Sequence, residues 1–279
     1  MIFTNPRYFF SSFGAWPLIA LAIVLLSGCA LAPTVPPAAR SELVSTGKLR
    51  VGLILSNQVL VTRDPNSGEL RGVTIDLSKA LAQRLGVPFE PVAYANPAAL
   101  VNSFGGNEWD IAFLAFDPAR AKDVAFSPPY MEVDNTYLVT ATSKVESADA
   151  ADRSGVTIAV PERSAPDLFL TRNLKSAQIL RVPGGAEAAI QALTSGKANA
   201  YAENAHMLSL YADRLPGARV LEGRYTVIQH AIATSQGKAA AAEYVRAFVE
   251  EAKVNGTVAE AIRAAGLRRT RVATPSPTK

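Results

Sequence analysis

Twice along this chain, apolar runs of strand length alternate with stretches of helical periodicity, and that alternation narrows the possible folds more than any other feature. The first round holds a strand at Lys48–Leu55, a helix at Asp76–Leu85 and a strand at Phe89–Tyr94. A helix opened by Asn96-Pro97 and closed at Gly105-Gly106 follows, then an apolar run from Trp109 to Leu114. Leu77, Leu81 and Leu85 recur every four residues before Gly86, the spacing of an amphipathic helix with a glycine stop. The second round repeats the logic. Gly155–Val160, Ala177–Val182 and Lys197–Glu203 read as strands, with helices at Ser164 to about Leu174, Ala186–Ser195 and Asn204–Leu215 between and after them. Alternating β and α elements predict largely parallel sheets covered by helices, here in two lobes. Asp134–Ala141 and Tyr225–Thr234 read as strands that leave and re-enter the first lobe, and Ala239–Lys253 and Thr257–Ala265 as closing helices. About 220 residues are available for this core, enough for two ordinary lobes.

Chemistry concentrates in Asp110–Tyr130, DIAFLAFDPARAKDVAFSPPY. A buried strand ends in Asp117-Pro118, where an Asp can accept from free backbone N–H groups and a Pro suits the first helical position. Arg120 follows in that first turn. A helix N-terminus prefers anions, so a cation there gains nothing from the helix dipole. Two readings remain open from the residues alone. Arg120 and the N–H groups beside it await an anion, or Arg120 pairs with Asp117 or Asp123 on the surface. Asn57 lies just past the first strand, where ligands gather in open α/β sheets.

The same stretch resembles the signature of the family 3 extracellular solute-binding proteins, receptors of polar amino-acid ABC importers. Asp110, Pro118, Arg120, Val124, Phe126, Ser127, Pro129 and Tyr130 fall in the family's order and spacing, and Gly72-Val73-Thr74-Ile75-Asp76-Leu77 resembles its Gly-Phe-Asp motif. The resemblance implies a two-lobe α/β fold of the periplasmic-binding-protein type II, with a ligand cleft between lobes. Lobe 1 is then 43–140 plus 227–266 and lobe 2 is 141–226, with hinges near Thr140 and Thr226. It implies that Arg120 grips a ligand carboxylate. By the same resemblance Asn57, Phe113, Ala115, Arg163, Ser164 and Asn204 are the other ligand-binding candidates. The expected partners are a small carboxylate-bearing solute and an ABC permease, and the protein is expected to be a monomer without cofactor. The chain departs from the family at several points. Asn204 stands where the family's Asp takes a ligand ammonium; Glu203, next to it on a strand, should point to the other side. Ala112, Phe113 and Ala115 replace small hydroxyl residues, so the pocket near Phe113 and Phe116 should be more apolar. Plain zwitterionic amino acids are therefore expected to bind weakly, and carboxylates with a neutral remainder better.

The N-terminus reads as a targeting segment. Arg7 is the only charge before an apolar run, Leu18–Leu26, too short to span a bilayer. Leu26-Ser27-Gly28-Cys29 resembles a bacterial lipobox, which implies cleavage after residue 28 and lipidation of Cys29. The protein would then be held at a membrane by acyl chains alone, facing the periplasm or the cell surface, at the outer membrane if the cell is Gram-negative. Residues 29–42 are expected to be an extended Pro/Ala tether and 267–279 a disordered tail.

The formal charge is +4. Losing residues 1–28 removes only Arg7 and leaves +3, too mild and too spread for nucleic-acid binding. One cysteine excludes an intramolecular disulfide. No metal-spaced cluster, no phosphate loop and no Ser/His/Asp arrangement is found. Of the two histidines, His206 is expected to be partly exposed on a helix, and His230 lies on the returning strand at the hinge. An enzyme remains the main alternative: the fold also resembles cyclohexadienyl dehydratases, with Glu162 or Glu203 as general acid. A sensor or assembly partner is a third.

Overall fold

A computed structural model describes residues 34–183 and 185–276. Residues 35 to 276 belong to one compact unit. The Leu18–Leu26 run and Cys29 lie outside the described residues. Among the described residues, no helix is long and apolar enough to cross a membrane.

The elements follow in chain order. Helix α1 is Pro37–Leu43, β1 Leu49–Ile54, β2 Thr62–Arg63, β3 Leu70–Arg71, α2 Val73–Leu85, β4 Phe89–Tyr94, α3 Pro97–Asn102, β5 Ile111–Ala115, β6 Val124–Phe126 and β7 Met131–Val139. Then come β8 Thr157–Pro161, α4 Ala165–Asn173, β9 Gln178–Val182, α5 Gly185–Thr194, β10 Ala200–Asn204, α6 Ala205–Ala212 and β11 Arg219–Val220. The chain closes with β12 Thr226–Ser235, α7 Ala239–Val254, α8 Thr257–Ala264 and β13 Thr270–Val272.

One mixed sheet carries the fold, in the order β4-β1-β5-β12-β7-β10-β8-β9. Its two ends are parallel: β1 runs parallel to β4 and β5, and β8 parallel to β9 and β10. Between them β7 and β12 run antiparallel to each other and to their outer neighbours, with Thr226 opposite Asn135 and His230 opposite Met131. These two long strands make the two-lobe α/β architecture, one parallel core on either side of a crossing pair. β1 and β5 are apolar on both faces because helices cover both. Helix α2 buries Leu77, Leu81 and Leu85 and ends at Gly86 in the left-handed conformation, φ 66°. Asn96 and Ser164 cap α3 and α4 as their residue types require, accepting from the N–H groups of Ala99 and Asp167. At the start of α2, Gly72 has φ 123°, and a Cβ there would sit 2.9 Å from the Leu60 carbonyl oxygen. Only glycine allows that approach.

The closing helices join the first lobe, where α7 packs on α1 and β12 and α8 packs on α2 and β13. Two expectations fail at the ends of the chain. The tether is not extended throughout. Pro36-Pro37 opens α1, whose Ala39 and Leu43 are buried, and the Glu42 carboxylate accepts from the Ala241 N–H at 2.7 Å. Nor is the tail structureless. Residues Thr270–Val272 pair with β7, Ala273 is buried, and Arg269 and Arg271 both reach Asp134. The arginine cluster suggested solvation, but β7 offers an open edge with an acid at the matching place.

Candidate functional site

A cavity of about 630 Å³, including its open mouth, lies where the strands' carboxyl ends meet. Only about 50 Å³ of it admits the centre of a water molecule, so the walls stand close together. Asn57 and Ala115 come from just past β1 and from the end of β5; Ser164, Glu203 and Asn204 come from the ends of β8 and β10. Asn135 and His230 come from the crossing strands. This is where an open α/β sheet gathers a ligand.

Arg120 dominates the first-lobe wall. Asp117 organises its turn by accepting from the Ala119 N–H at 2.8 Å. Asp117 does not pair with Arg120, however. Its carboxylate bonds Arg172 at 2.7 Å, and no carboxylate among the described residues forms an ion pair with Arg120. The Arg120 side chain donates from Nη1 to the Ala115 carbonyl at 2.9 Å and from Nη2 to the Arg163 carbonyl at 2.8 Å. Two of five donors are thus used, and the buried Nε–H has no partner. Burial pulls the Arg120 pKa down to about 10, and Arg163 adds repulsion against a partial offset from Asp117. At neutral pH the group is still a cation. The surface ion pair that the residues left open is therefore not formed.

The second-lobe wall departs further from expectation. Ser164 caps α4 and lines the cavity, as its sequence suggested. Arg163 does not line the cavity; only its backbone reaches the wall, through Arg120. It has the left-handed φ of 57°, its N–H donates to Asp167 at 2.9 Å, and its carbonyl takes the Arg120 bond. With that turn pinned from both sides, its side chain extends to Asn102 of the first lobe instead. Asn204 lines the cavity but is occupied: Oδ1 accepts from the Met207 N–H at 2.9 Å, and Nδ2 donates to Glu203 at 3.0 Å. Glu203 does not point to the other side. The strand ends here, the Asn204 side chain turns back to cap α6, and the Glu203 carboxylate folds over it and accepts from its N–H at 2.9 Å. Strand alternation no longer governs the direction. Desolvation raises the Glu203 pKa, opposed by the two Asn204 bonds and a long contact from the Tyr201 hydroxyl.

Phe113 is not a wall residue. It lies two residues inside the end of β5, fully buried and edge-to-face with Tyr130 at 5.7 Å between ring centres. Phe116 is 41% exposed, outside the cavity, so the expected apolar pocket does not form around these two. His206 is buried rather than partly exposed, because the tail covers it and the Arg268 N–H donates to its Nδ1 at 3.2 Å. His230 is the wall residue that motif matching missed. It is buried with Nδ1 unpartnered, and desolvation with Arg120 nearby lowers its pKa to about 3. Its place on the hinge strand was the only signal for it. Glu162 is exposed and does not line the cavity. Among the described residues, no group of three or more His, Cys, Asp or Glu is placed to hold a metal.

Residues 49–264 match the model of the family described as bacterial extracellular solute-binding proteins, family 3. The chain belongs to this family. Among similar proteins of this solute-binding protein is the ABC transporter glutamine-binding protein GlnH of Bacillus subtilis, 24% identical over 86% of the chain and 91% of the relative. A solved structure of an ArgBP variant from T. maritima superposes with a TM-score of 0.69 at 24% identity, covering 82% of this chain and 99% of that one. The ancestral amino acid-binding protein AncCDT-1, a precursor of cyclohexadienyl dehydratase, superposes with a TM-score of 0.68 at 26% identity over 81% of this chain and 97% of that one. The solute-binding protein thus shares its two-lobe fold with proteins of which it covers nearly the whole length.

Proposed function

We propose that this solute-binding protein is the receptor of an ABC importer, taking an amino acid, an amino-acid derivative or a related small carboxylate between its lobes. The observation that carries the proposal is Arg120: a buried cation on the cavity wall, held by two carbonyls, with three donors free and no carboxylate partner among the described residues. A carboxylate matches those donors in charge and in fork geometry. The names of its relatives, a glutamine-binding protein of an ABC transporter and ArgBP, agree with it. The lobes part about β7 and β12 to admit the solute, with hinges near Thr140 and Thr226, and close on it as in other hinge-type receptors. Lipidation at Cys29 holds the monomer to a membrane, facing the periplasm or the cell surface, and the closed form is handed to the permease. The deciding experiment is mass spectrometry of the solute that co-purifies with the full chain, followed by calorimetry with that solute. A carboxylate that binds stoichiometrically supports the receptor; recovery and binding of no small molecule sinks it. Cys29→Ser should abolish palmitate labelling, and unchanged labelling would reject the anchor.

A second reading draws on Glu203, an acid of raised pKa in the same cavity, and on the likeness to a dehydratase precursor. Such an acid can protonate a leaving hydroxyl. Turnover of prephenate or arogenate would decide for the enzyme, and its absence alongside tight binding decides for the receptor.

A further inference from the structure

We propose that the segment after α8 is a strap between the lobes, tied to the second lobe through the neutral ring of His206, and that this tie favours the closed arrangement. The inference rests on the receptor reading above, to which it adds a control on opening.

The strap starts in the first lobe, where α8 packs on α2. Just past α8 it reaches the second. The Arg268 N–H donates to Nδ1 of His206 on α6 at 3.2 Å, and Arg269 donates from Nη2 to the Gly223 carbonyl, in the loop before β12, at 2.5 Å. It then turns back along β7. The Asp134 N–H donates to the Arg269 carbonyl at 3.1 Å, Thr270–Val272 pair with β7, and the Ala273 N–H donates to the Tyr130 carbonyl at 3.1 Å. Beside β7 and β12 this is a third connection between the lobes. It lies past the end of the family match at residue 264.

A groove of about 490 Å³ lies between α6 and the first lobe here, lined by His206 on one side and by Gly72, Asp76, Lys79, Ala264 and Ala265 on the other. Hinge opening moves α6 away from α8, so the Arg268–His206 bond must part. His206 is buried, and separating a buried acceptor from its donor costs more than a typical bond contributes. The Arg268–Asp213 pair, at 3.9 Å and exposed on both sides, adds little. Nδ1 accepts only while it carries no proton. A proton there would set N–H against N–H, beside the Arg268 cation. The charged groups around the ring are Arg268 on the strap, Asp213 on α6, Asp76 and Lys79 on α2, and Glu69 and Arg71 on the β2–β3 hairpin. Burial first, then Arg268, lowers the His206 pKa. In the open form the ring returns towards its ordinary value, so the tie is at full strength above about pH 6.5 and is lost as pH falls below it.

The test compares wild type, His206→Leu and His206→Asn as full chains dialysed free of solute. Leucine removes the acceptor and keeps an apolar body; asparagine returns an oxygen near the place of Nδ1. Radius of gyration is read by small-angle X-ray scattering, and affinity by calorimetry with the L-amino acid that gives the largest thermal shift in the wild type. At pH 7.5, His206→Leu should be more expanded and bind about tenfold more weakly, the scale of one lost buried hydrogen bond. His206→Asn should recover both. At pH 5.5 the wild type should move towards His206→Leu while His206→Asn stays in place; Glu203 and other acids common to all three cancel in that comparison. Equal size and affinity in wild type and His206→Leu overturn the inference. So does a His206→Asn no better than His206→Leu, which would mark packing in place of the bond. A wild type whose size is the same at both pH values also overturns it, and that measurement needs no variant to fold. If amino-acid binding is intact and only these comparisons fail, the receptor reading stands without the strap. If no L-amino acid binds, the scattering comparison still decides the strap.

Discussion

Arg50 and Arg120 stand at opposite ends of the same two strands and are treated in opposite ways. Arg50, at the amino end of β1, meets Asp110 just before β5. Three bonds join them, from the Arg50 backbone N–H at 2.8 Å, Nε at 3.1 Å and Nη2 at 2.8 Å, and Nη1 donates to the Asn107 carbonyl at 2.7 Å. The pair is complete, and Asp110 is fully buried. Arg120, past the carboxyl end of β5, is more deeply buried than Arg50 and has no carboxylate partner among the described residues. The difference shows where the fold spends its charges. At the amino ends they are paired for structure; at the carboxyl ends one is held ready, which is also where parallel strands present ligands. Asp110 and Arg120 share one stretch of sequence, but only the partners tell the roles of the two arginines apart.

The largest effect that would break this contrast is on stability. Arg50→Ala leaves Asp110 as a buried, unpaired carboxylate and should cost about 3–5 kcal/mol in urea unfolding, the range for breaking a buried pair. Solute affinity in the fraction that stays folded should not change. Arg120→Ala should do the reverse. Removing an unpaired buried cation should leave urea stability unchanged or raised, while affinity for the co-purified carboxylate falls by about 3 kcal/mol, or more than 100-fold. If both substitutions moved stability alike and affinity alike, the division of labour between the two ends would be wrong.

A third outcome turns on pH. His230 sits against Arg120 in the cavity, and its pKa is lowered from 6.5 to about 3. Between those values the unfolded chain binds a proton at this residue and the folded chain does not. Stability from neutral His230 is therefore full above pH 6.5 and declines as pH falls towards 3, with a slope approaching about 1.4 kcal/mol per pH unit. Other groups titrate in the same window, so the measurement is the difference between wild type and His230→Gln in urea melts from pH 7 to pH 4. The wild type should lose stability faster on acidification. Parallel curves would show that His230 keeps an ordinary pKa.

Much of this was legible beforehand, for identifiable reasons. The strands and helices follow from periodicity and caps that are local: Leu77, Leu81 and Leu85 before Gly86, Asn96-Pro97 and Ser164. Arg120 stood out because its own turn offered it no favourable charge. What was not legible depended on distant partners. Residues Pro37–Leu43 look like tether until α7, some two hundred residues later, covers Leu43. Arg269 and Arg271 look like a solvated tail until Asp134 and β7 receive them. Glu203 was misdirected because alternation was carried one residue too far, into the cap of α6. Phe113 was assigned to the wall from its alignment alone, although β5 is buried on both faces at that point.

The smallest effect concerns the contacts that span the two walls without lining the cavity. Asp117 of the first lobe bonds Arg172 of α4 at 2.7 and 3.3 Å. Asp117 is buried, but the Arg172 side chain is 46% exposed, so solvent screens the pair and its worth is about 1 kcal/mol. In a receptor that closes by hinge motion, such a bond exists only in the closed form and raises affinity by favouring that form. Arg172 is the partner to truncate, because Asp117 also organises the Arg120 turn through the Ala119 N–H. Arg172→Ala should weaken solute binding about fivefold, the size of a 1 kcal/mol shift. It should act through the closed population, not through contact with the solute. The distinguishing readout is salt. Adding sodium chloride should erode the advantage of wild type over Arg172→Ala, since an exposed pair is screened, while the Arg120→Ala defect, set inside the cavity, should persist. A fivefold loss indifferent to salt would mean that Arg172 works by packing; no loss at all would mean that the lobes stay closed without it.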